Sequence, residues 1–164
     1  MAYIDDLTRE DTGEKSPPGC FLCEHRDAPD GDVENLVLWR SPRTLVMLNR
    51  YPYTSGHALI APTAHLADLS ALPDDVMIEL ALRMRDVQRV LRAAVNAHGF
   101  NIGMNLGRCA GAGLPDHVHC HVVPRWNADT NFMPVLGDVR VMPQSLDSVR
   151  DAFLEHAARL GLPG

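Results

Sequence analysis

The chain has 164 residues, of which 46% are hydrophobic and 22% are charged, a balance typical of one globular domain with its own core. Its formal net charge of −6 argues against a nucleic acid polymer as partner, whereas a compact anionic ligand can still bind a local cationic site. No apolar run approaches the ~20 residues that span a bilayer, and the acidic start MAYIDDLTRE lacks a signal-peptide core, so we expect a cytoplasmic protein without a membrane partner.

The first predicted elements are a loose arm and a group of short strands. Residues 1–18 are polar and run into SPPG, so we expect a flexible N-terminal arm before a single domain over residues 19–164. Three apolar, β-friendly runs follow, NLVLWR, TLVMLN and HALIAP, separated by the turn signals SPR and YPYTSG. They predict a meander of antiparallel strands.

The longest predicted element is a helix over residues 72–99. Its apolar residues recur at spacings of three and four and form one stripe, made of Val76, Leu80, Met84, Val87, Leu91 and Val95. A strand (FNIGMNLG), a glycine-rich loop (RCAGAGLPD), a second strand (HVHCHVVPR) and a C-terminal helix over residues 145–161 complete the chain. The pattern predicts an α+β domain, with an antiparallel sheet of about five strands, one long helix and a C-terminal helix.

Imidazoles occupy every second position of the last predicted strand, at His117, His119 and His121. Side chains on a strand alternate between its faces, so the three rings are expected to share one face, while the intervening valines and Cys120 pack on the core. Protonation of such close neighbours is mutually unfavourable, which couples their pKa values. A metal site or scattered surface histidines are the alternatives, but strict alternation beside a glycine-rich loop favours a functional cluster.

The segment HVHCHVV resembles the H-x-H-x-H-x-x signature of the histidine triad (HIT) family of nucleotide hydrolases and transferases. The segment NRYPYTSGH looks like the N-x-x-P-x-x-x-G-H motif of the same family, and the long helix lies between the two motifs, as it does there. The resemblance covers residues 19–143 and implies a HIT-like fold and a nucleotidyl transferase or hydrolase acting on diadenosine polyphosphates. It implies that His119 attacks the α-phosphorus, His121 contacts the leaving group and His57 helps to hold the triad.

The resemblance also implies a set of substrate contacts. Asn49 matches the ribose-binding position, with capping of the turn at NRYP as its structural alternative. Leu48 and Leu59 are expected to wall the base pocket, although both are ordinary core residues as well. Backbone amides of the glycine-rich loop can approach a phosphate closely, and Arg108 can neutralise its charge unless it is simply a solvated surface residue.

Cys20 and Cys23 have the C-x-x-C spacing that places two thiolates on one tetrahedral metal. Similarity to the zinc-bearing relatives implies that His65 and His117 complete a closed, structural zinc site, and no organic cofactor is expected. A redox pair or inert thiols are the alternatives, and His25 is a competing ligand. His117 is therefore counted both with the metal ligands and with the substrate-binding triad.

The bacterial diadenosine tetraphosphate phosphorylases of this family are the branch that the sequence resembles most. The fragile-histidine-triad hydrolases carry glutamines in the strand and loop ahead of the triad. The corresponding positions here are approximately Asn105 and Gly113, so neither is a glutamine. In the phosphorylase branch an asparagine, a loop glycine and a tryptophan accompany the use of phosphate, and Asn105, Gly111 or Gly113, and Trp126 match them. Packing is the structural alternative for Trp126.

Two other functions stay open from the sequence. One is a nucleoside phosphoramidate hydrolase, which differs in releasing an amine. The other is a non-enzymatic nucleotide- or metal-binding protein whose triad ligates a metal. The partners expected for the enzymatic function are a diadenosine polyphosphate and inorganic phosphate, and the family resemblance implies a homodimer formed through the helix and the sheet edge.

Overall fold

The computed structural model describes residues 17–129 and 142–162, so most of the predicted N-terminal arm lies outside the described part of the chain. The helices are α1 (Phe21–Arg26), α2 (Asp74–Ala94) and α3 (Leu146–Arg159). The strands are β1 (Val37–Arg40), β2 (Thr44–Leu48), β3 (Ala58–Pro62), β4 (Gly99–Met104) and β5 (Cys120–Arg125). This content confirms the predicted α+β class, while α1 has no counterpart among the predicted elements. None of these helices combines the length and apolarity needed to cross a bilayer.

The five strands form one antiparallel sheet in the order β1-β2-β3-β5-β4. Residues directly opposite each other on paired strands share a face of the sheet. Met47 is opposite Leu59, Leu59 is opposite His121, and His121 is opposite Gly103. This cross-strand row sets an apolar surface beside a histidine of the triad, and the functional site is built on it.

The other face of the sheet is covered by α2 and α3. As predicted, the apolar stripe of α2 enters the core, and Val87 and Leu91 are fully buried. Trp39 of β1 packs against Phe153 of α3 with ring centroids 5.3 Å apart, which anchors the C-terminal helix. Cys120 also lies in this core, as its alternation with the triad histidines predicts.

Two of the predicted boundaries that differ from the structure have a clear physical reason. The strand predicted over residues 117–125 begins only at Cys120, because Val118 donates its N–H to Leu66 outside the sheet, at 2.7 Å, and the chain before Cys120 leaves the ladder. The helix predicted to reach Gly99 ends at Ala94, because Asn96 takes a left-handed backbone conformation with a φ of 51°. Neither change moves the apolar residues off the core.

Candidate functional site

Four cysteine and histidine side chains that are distant in sequence converge on one point. Cys20 precedes α1 and Cys23 lies in its first turn, so this short helix presents both thiols together. Sγ of Cys20 lies 3.3 Å from Nδ1 of His117, and Sγ of Cys23 lies 3.3 Å from Nδ1 of His65. All four ligand atoms lie within 4.8 Å of one another. The structure thus brings together the four residues predicted to bind metal.

The donor set fits a closed tetrahedral zinc site. Zn–S bonds of about 2.3 Å and Zn–N bonds of about 2.0 Å place neighbouring ligand atoms roughly 3.3–3.8 Å apart, and the two separations above fall in this range. His117 donates from Nε2 to the main-chain oxygen of Pro62 at 2.9 Å, which leaves the Nδ1 lone pair facing the cysteines. His25, the competing ligand, lines a separate cavity instead.

The Cys23 thiol is poorly suited to redox chemistry in the absence of a cation. Burial, followed by the neighbouring Cys20, raises the pKa of the Cys23 thiol to about 12. The thiolate is the reactive form in disulfide exchange, and it is also the form that ligates metal, so a divalent cation would displace the protons. Cys120 is buried in the core and Cys109 is exposed, and neither joins the cluster.

A second group of histidines forms a directional chain of hydrogen bonds. The fully buried His57 accepts the main-chain N–H of Tyr53 at Nδ1, at 3.2 Å. Its proton therefore lies on Nε2, which is 3.0 Å from Nδ1 of His121 and donates to it. His121 is left with its own proton on Nε2. The backbone at Tyr53 thus fixes the tautomers of two successive imidazoles.

Burial keeps this chain neutral. It lowers the pKa of His57 to about 3, with smaller contributions from the charges that His121 and His119 would carry. Burial, and then the neighbouring His119, lowers the pKa of His121 as well. Near pH 7 both rings are therefore neutral, and His121 is a hydrogen-bond donor without being a fixed positive charge.

His119 has the opposite tautomer. It donates from Nδ1 to the main-chain oxygen of His117 at 2.9 Å, so its Nε2 carries the lone pair. Its ring centroid lies 5.0 Å from that of His121, and 7% of the residue is exposed. His119 and His121 therefore lie on the same side of the strand, as predicted. The ring of His117 lies instead among the side chains of the cysteine–histidine cluster. An unprotonated imidazole nitrogen beside an imidazole N–H donor is an arrangement suited to nucleophilic attack.

A cavity of about 280 Å³ opens next to this group. Its lining residues come from α1, β2, β3 and the loops beside them, and they are Phe21, His25, Asn35, Met47, Leu48, Asn49, Arg50, Tyr51 and Leu59. The triad histidines are not among them, but Leu59 is opposite His121 on the neighbouring strand, so the cavity adjoins the reactive rings. Leu48 and Leu59 therefore form part of the cavity wall, and their contact with a base stays a prediction.

Asn49 connects the cavity to the histidine chain. Its Oδ1 accepts the main-chain N–H of Tyr51 at 2.9 Å, which is the turn-capping alternative considered for this residue. Its Nδ2 lies 3.3 Å from Nδ1 of His57. The amide is therefore held in a fixed orientation at the cavity wall, and the ribose contact expected of it stays a prediction.

The glycine-rich loop is exposed and partly closed on itself. The N–H groups of Ala110, Gly111 and Ala112 donate to main-chain oxygens within the loop. Contact with a phosphate would therefore depend on other amides and on the exposed Arg108. Gly111 has a φ of 85°, whereas Gly113 is not in this left-handed region, and Nδ2 of Asn105 lies 3.5 Å from the oxygen of Gly111. Of the two candidate glycines, Gly111 is thus the one that contacts Asn105.

Trp126 has a structural role. Its indole N–H donates to the main-chain oxygens of Asn96 and Val95, at 2.9 and 3.2 Å, where the chain leaves α2. The ring also packs against the core. The structure therefore supports packing, which was the alternative for this residue, and its association with phosphate use stays a prediction.

Several residues that line the cavity or contact His57 were not predicted from the sequence to belong to the site. Phe21, His25 and Tyr51 enter the cavity, and their rings come from segments read only as metal-binding or turn sequence. Tyr53 lies against His57 with ring centroids 4.5 Å apart. The pair of tyrosines that flanks Pro52 in YPYTSGH could have indicated these site residues, because aromatic side chains in a short turn are not expected to pack in the core.

Comparison with known proteins finds relatives with several named activities, which include a phosphorylase, a tetraphosphatase and an adenosine 5'-monophosphoramidase. A Mycobacterium tuberculosis protein named AP-4-A phosphorylase is 39% identical over 128 residues, which are 78% of this chain and 66%, just under two thirds, of that protein. A Schizosaccharomyces pombe asymmetrical bis(5'-nucleosyl)-tetraphosphatase is 33% identical over 97 residues, 59% of this chain and 53% of that one. A zinc-bound histidine triad family protein from Mycobacterium smegmatis superposes with a TM-score of 0.68 at 24% identity, covering 87% of this chain and 96% of that chain.

The structural match confirms the expected HIT-like fold. The sequence profile of the HIT domain matches residues 30–128, a span that contains the five strands, α2 and all three triad histidines. This span is more than half of the chain, and the protein therefore belongs to the HIT family.

Proposed function

We propose that the protein cleaves dinucleoside polyphosphates and transfers the nucleotidyl group to inorganic phosphate, as a diadenosine tetraphosphate phosphorylase does. The observation that carries the proposal is the pairing of opposite tautomers at the reactive rings: a lone pair on Nε2 of His119 beside a proton on Nε2 of His121. The adjoining cavity supplies a binding site for one nucleoside. The 39% identity to AP-4-A phosphorylase supports the same substrate class.

The first step is an attack by Nε2 of His119 on the α-phosphorus of diadenosine tetraphosphate. A phosphorus–nitrogen bond forms while the bond to the bridging oxygen breaks, and ATP leaves with that oxygen and its electron pair. The N–H of His121 donates a hydrogen bond to this oxygen as negative charge develops on it. The adenylylated ring of His119 becomes cationic, and the carbonyl of His117 at Nδ1 stabilises its charge.

In the second step an oxygen of inorganic phosphate attacks the same phosphorus, and ADP is released with the lone pair restored on His119. Water in place of phosphate would give AMP. Asn49, Leu48 and Leu59 are proposed to hold the nucleoside, and Asn105, Arg108, Gly111 and Gly113 to line the path of the phosphates. Arg108 is exposed and supplies a cation that suits a polyphosphate.

The product assay tests this function. Diadenosine tetraphosphate is incubated with and without phosphate labelled with ³²P, and the nucleotides are separated. Labelled ADP together with unlabelled ATP is the expected result. AMP and ATP formed equally with and without phosphate would establish hydrolysis and overturn the phosphorylase assignment, while cleavage of adenosine phosphoramidate alone would favour the phosphoramidate hydrolase.

The same proposal includes a structural zinc ion held by Cys20, Cys23, His65 and His117. Zinc in a closed site of this kind supplies a crosslink between α1, the segment after β3 and the start of the triad. The dimer expected from the family resemblance is proposed to form through β4, which is an edge strand with an exposed Ile102, and through α2, where Ile78 is exposed. A cytoplasmic location stays a prediction.

A further inference from the structure

Tyr53 lies at the reactive end of the site without lining the cavity. It belongs to the segment between β2 and β3, and its main-chain N–H fixes the tautomer of His57. The cavity wall includes Tyr51, two residues earlier, but not Tyr53. Its side chain therefore contacts the reactive histidines from outside the space proposed for the first nucleoside.

The ring of Tyr53 packs along the His57–His121 pair. Its centroid is 4.5 Å from that of His57, with an interplanar angle of 41°, and 6.0 Å from that of His121, with an angle of 18°. Nonetheless 51% of the residue is exposed. The phenol ring is thus held nearly parallel to His121 while much of its surface faces outward.

The substrate class of the proposed function has a second nucleoside that needs a binding surface. A cavity of about 280 Å³ is suited to one nucleoside and not to two. The bridging oxygen leaves next to the N–H of His121, which is the ring against which Tyr53 stacks, and three phosphates connect this oxygen to the second nucleoside. A chain of this length can place the second base on the exposed part of Tyr53. We propose that Tyr53 is a stacking platform for the base of the leaving nucleotide, an inference that rests on the proposed function.

Binding measurements on matched ligands test this platform. Diadenosine tetraphosphate and adenosine 5′-tetraphosphate share one nucleoside and a tetraphosphate chain, and only the first has a second base. The titrations compare three proteins, all of which carry His119→Ala so that no ligand is consumed. The first keeps Tyr53, the second carries Tyr53→Phe and the third carries Tyr53→Ala. We expect Tyr53→Ala to weaken diadenosine tetraphosphate binding by roughly 10-fold and adenosine tetraphosphate binding by less than about 2-fold. Tyr53→Phe should restore most of the lost affinity.

Each other outcome contradicts the platform. Equal losses for both ligands would show that Tyr53 acts only through the histidines, and a loss in Tyr53→Phe as large as in Tyr53→Ala would assign the effect to the hydroxyl group. Turnover by the unaltered protein separates this inference from the proposed function. If it cleaves diadenosine tetraphosphate but Tyr53→Ala does not discriminate between the ligands, only the platform fails; selective binding without turnover would instead remove the proposed function.

Discussion

The proposed nucleophile, His119, is oriented by a residue of the cysteine–histidine cluster: its Nδ1 lies 2.9 Å from the main-chain oxygen of His117. The side chain of His117 is held from two directions, by the oxygen of Pro62 and by the thiols of Cys20 and Cys23. Any movement of His117 therefore changes the direction of the lone pair on His119. The proposed metal site and the proposed reactive centre therefore share the backbone of His117.

Loss of the metal should therefore reduce both stability and activity. We expect about one zinc ion per chain, and a Cys20→Ser, Cys23→Ser double variant should lack it and lose several kcal/mol of unfolding free energy, because zinc binding to a closed site is coupled to folding. Metal analysis and thermal melting are the measurements. Cys109→Ser, which removes an exposed thiol outside the cluster, is the matched control for metal content and melting. A double variant with unchanged zinc content would contradict the assignment.

Replacing the nucleophile should remove turnover without unfolding the protein. His119→Ala is expected to lower kcat by roughly 10³-fold or more, as the loss of a catalytic nucleophile typically does. With substrate labelled at the α-phosphorus, the unaltered protein should carry label that survives alkali, as a phosphorus–nitrogen bond does, and the variant should carry none. His156→Ala, on α3, is the control for loss of a histidine distant in sequence from the triad. Full turnover by His119→Ala would exclude nucleophilic catalysis by this residue.

The sequence predicted the parts of this site that depend on alternation and spacing. The alternation around Cys120 predicted one side of the strand in the core and three imidazoles on the other, and the structure confirms the core position of Cys120 and the common side of His119 and His121. The C-x-x-C spacing likewise predicted two thiols that share one metal position. Both predictions rest on local geometry, which the backbone imposes whatever the rest of the chain does.

The parts that failed or were missed depend on contacts between distant segments. His117 was predicted both as a residue of the strand and as a metal ligand. The structure places it before β5, and its position beside the thiols depends on Pro62 and α1, which no local pattern encodes. The packing of Trp126 likewise depends on a distant segment, because the end of α2 supplies acceptors for its indole N–H, and its association with phosphate use stays a prediction. The cavity wall combines residues from four segments, so Phe21 and Tyr51 could be recognised only after the sheet had been assembled.

The neutral state of His57 should make the protein less stable in mild acid. Its pKa is about 3 in the folded protein and about 6.5 ordinarily, so between these values the unfolded chain binds a proton that the folded chain does not. The free energy of unfolding should therefore be fully retained above pH 6.5 and fall below it, with a slope of up to about 1.4 kcal/mol per pH unit from this residue. Burial also lowers the pKa of His121, so this residue adds to the loss of stability in acid.

Urea unfolding at several pH values between 4.5 and 8, chosen around the ordinary histidine pKa of about 6.5, measures this slope. His57→Gln should be less stable than the unaltered protein at pH 8, because a buried hydrogen-bonded ring is lost, but its stability should depend less steeply on pH below 6.5. An unchanged slope in the variant would show that His57 does not account for the acid sensitivity.

Gly56, which precedes His57 in the segment that leads into β3, should not tolerate a side chain. Its φ is 78°, and a Cβ there would lie 3.2 Å from Cδ2 of Leu91 and 3.3 Å from Cγ of Pro124. Left-handed strain of about 1–2 kcal/mol and overpacking of about 1–3 kcal/mol together predict that Gly56→Ala lowers the melting temperature by roughly 4–20 °C in a domain of this size. Gly99→Ala is the matched control, because its Cβ meets nothing within 4 Å and its φ is not in the left-handed region. Because Leu91 is fully buried in α2, it has little room to move away, so equal melting temperatures for the two variants would contradict the close approach of α2 to this turn.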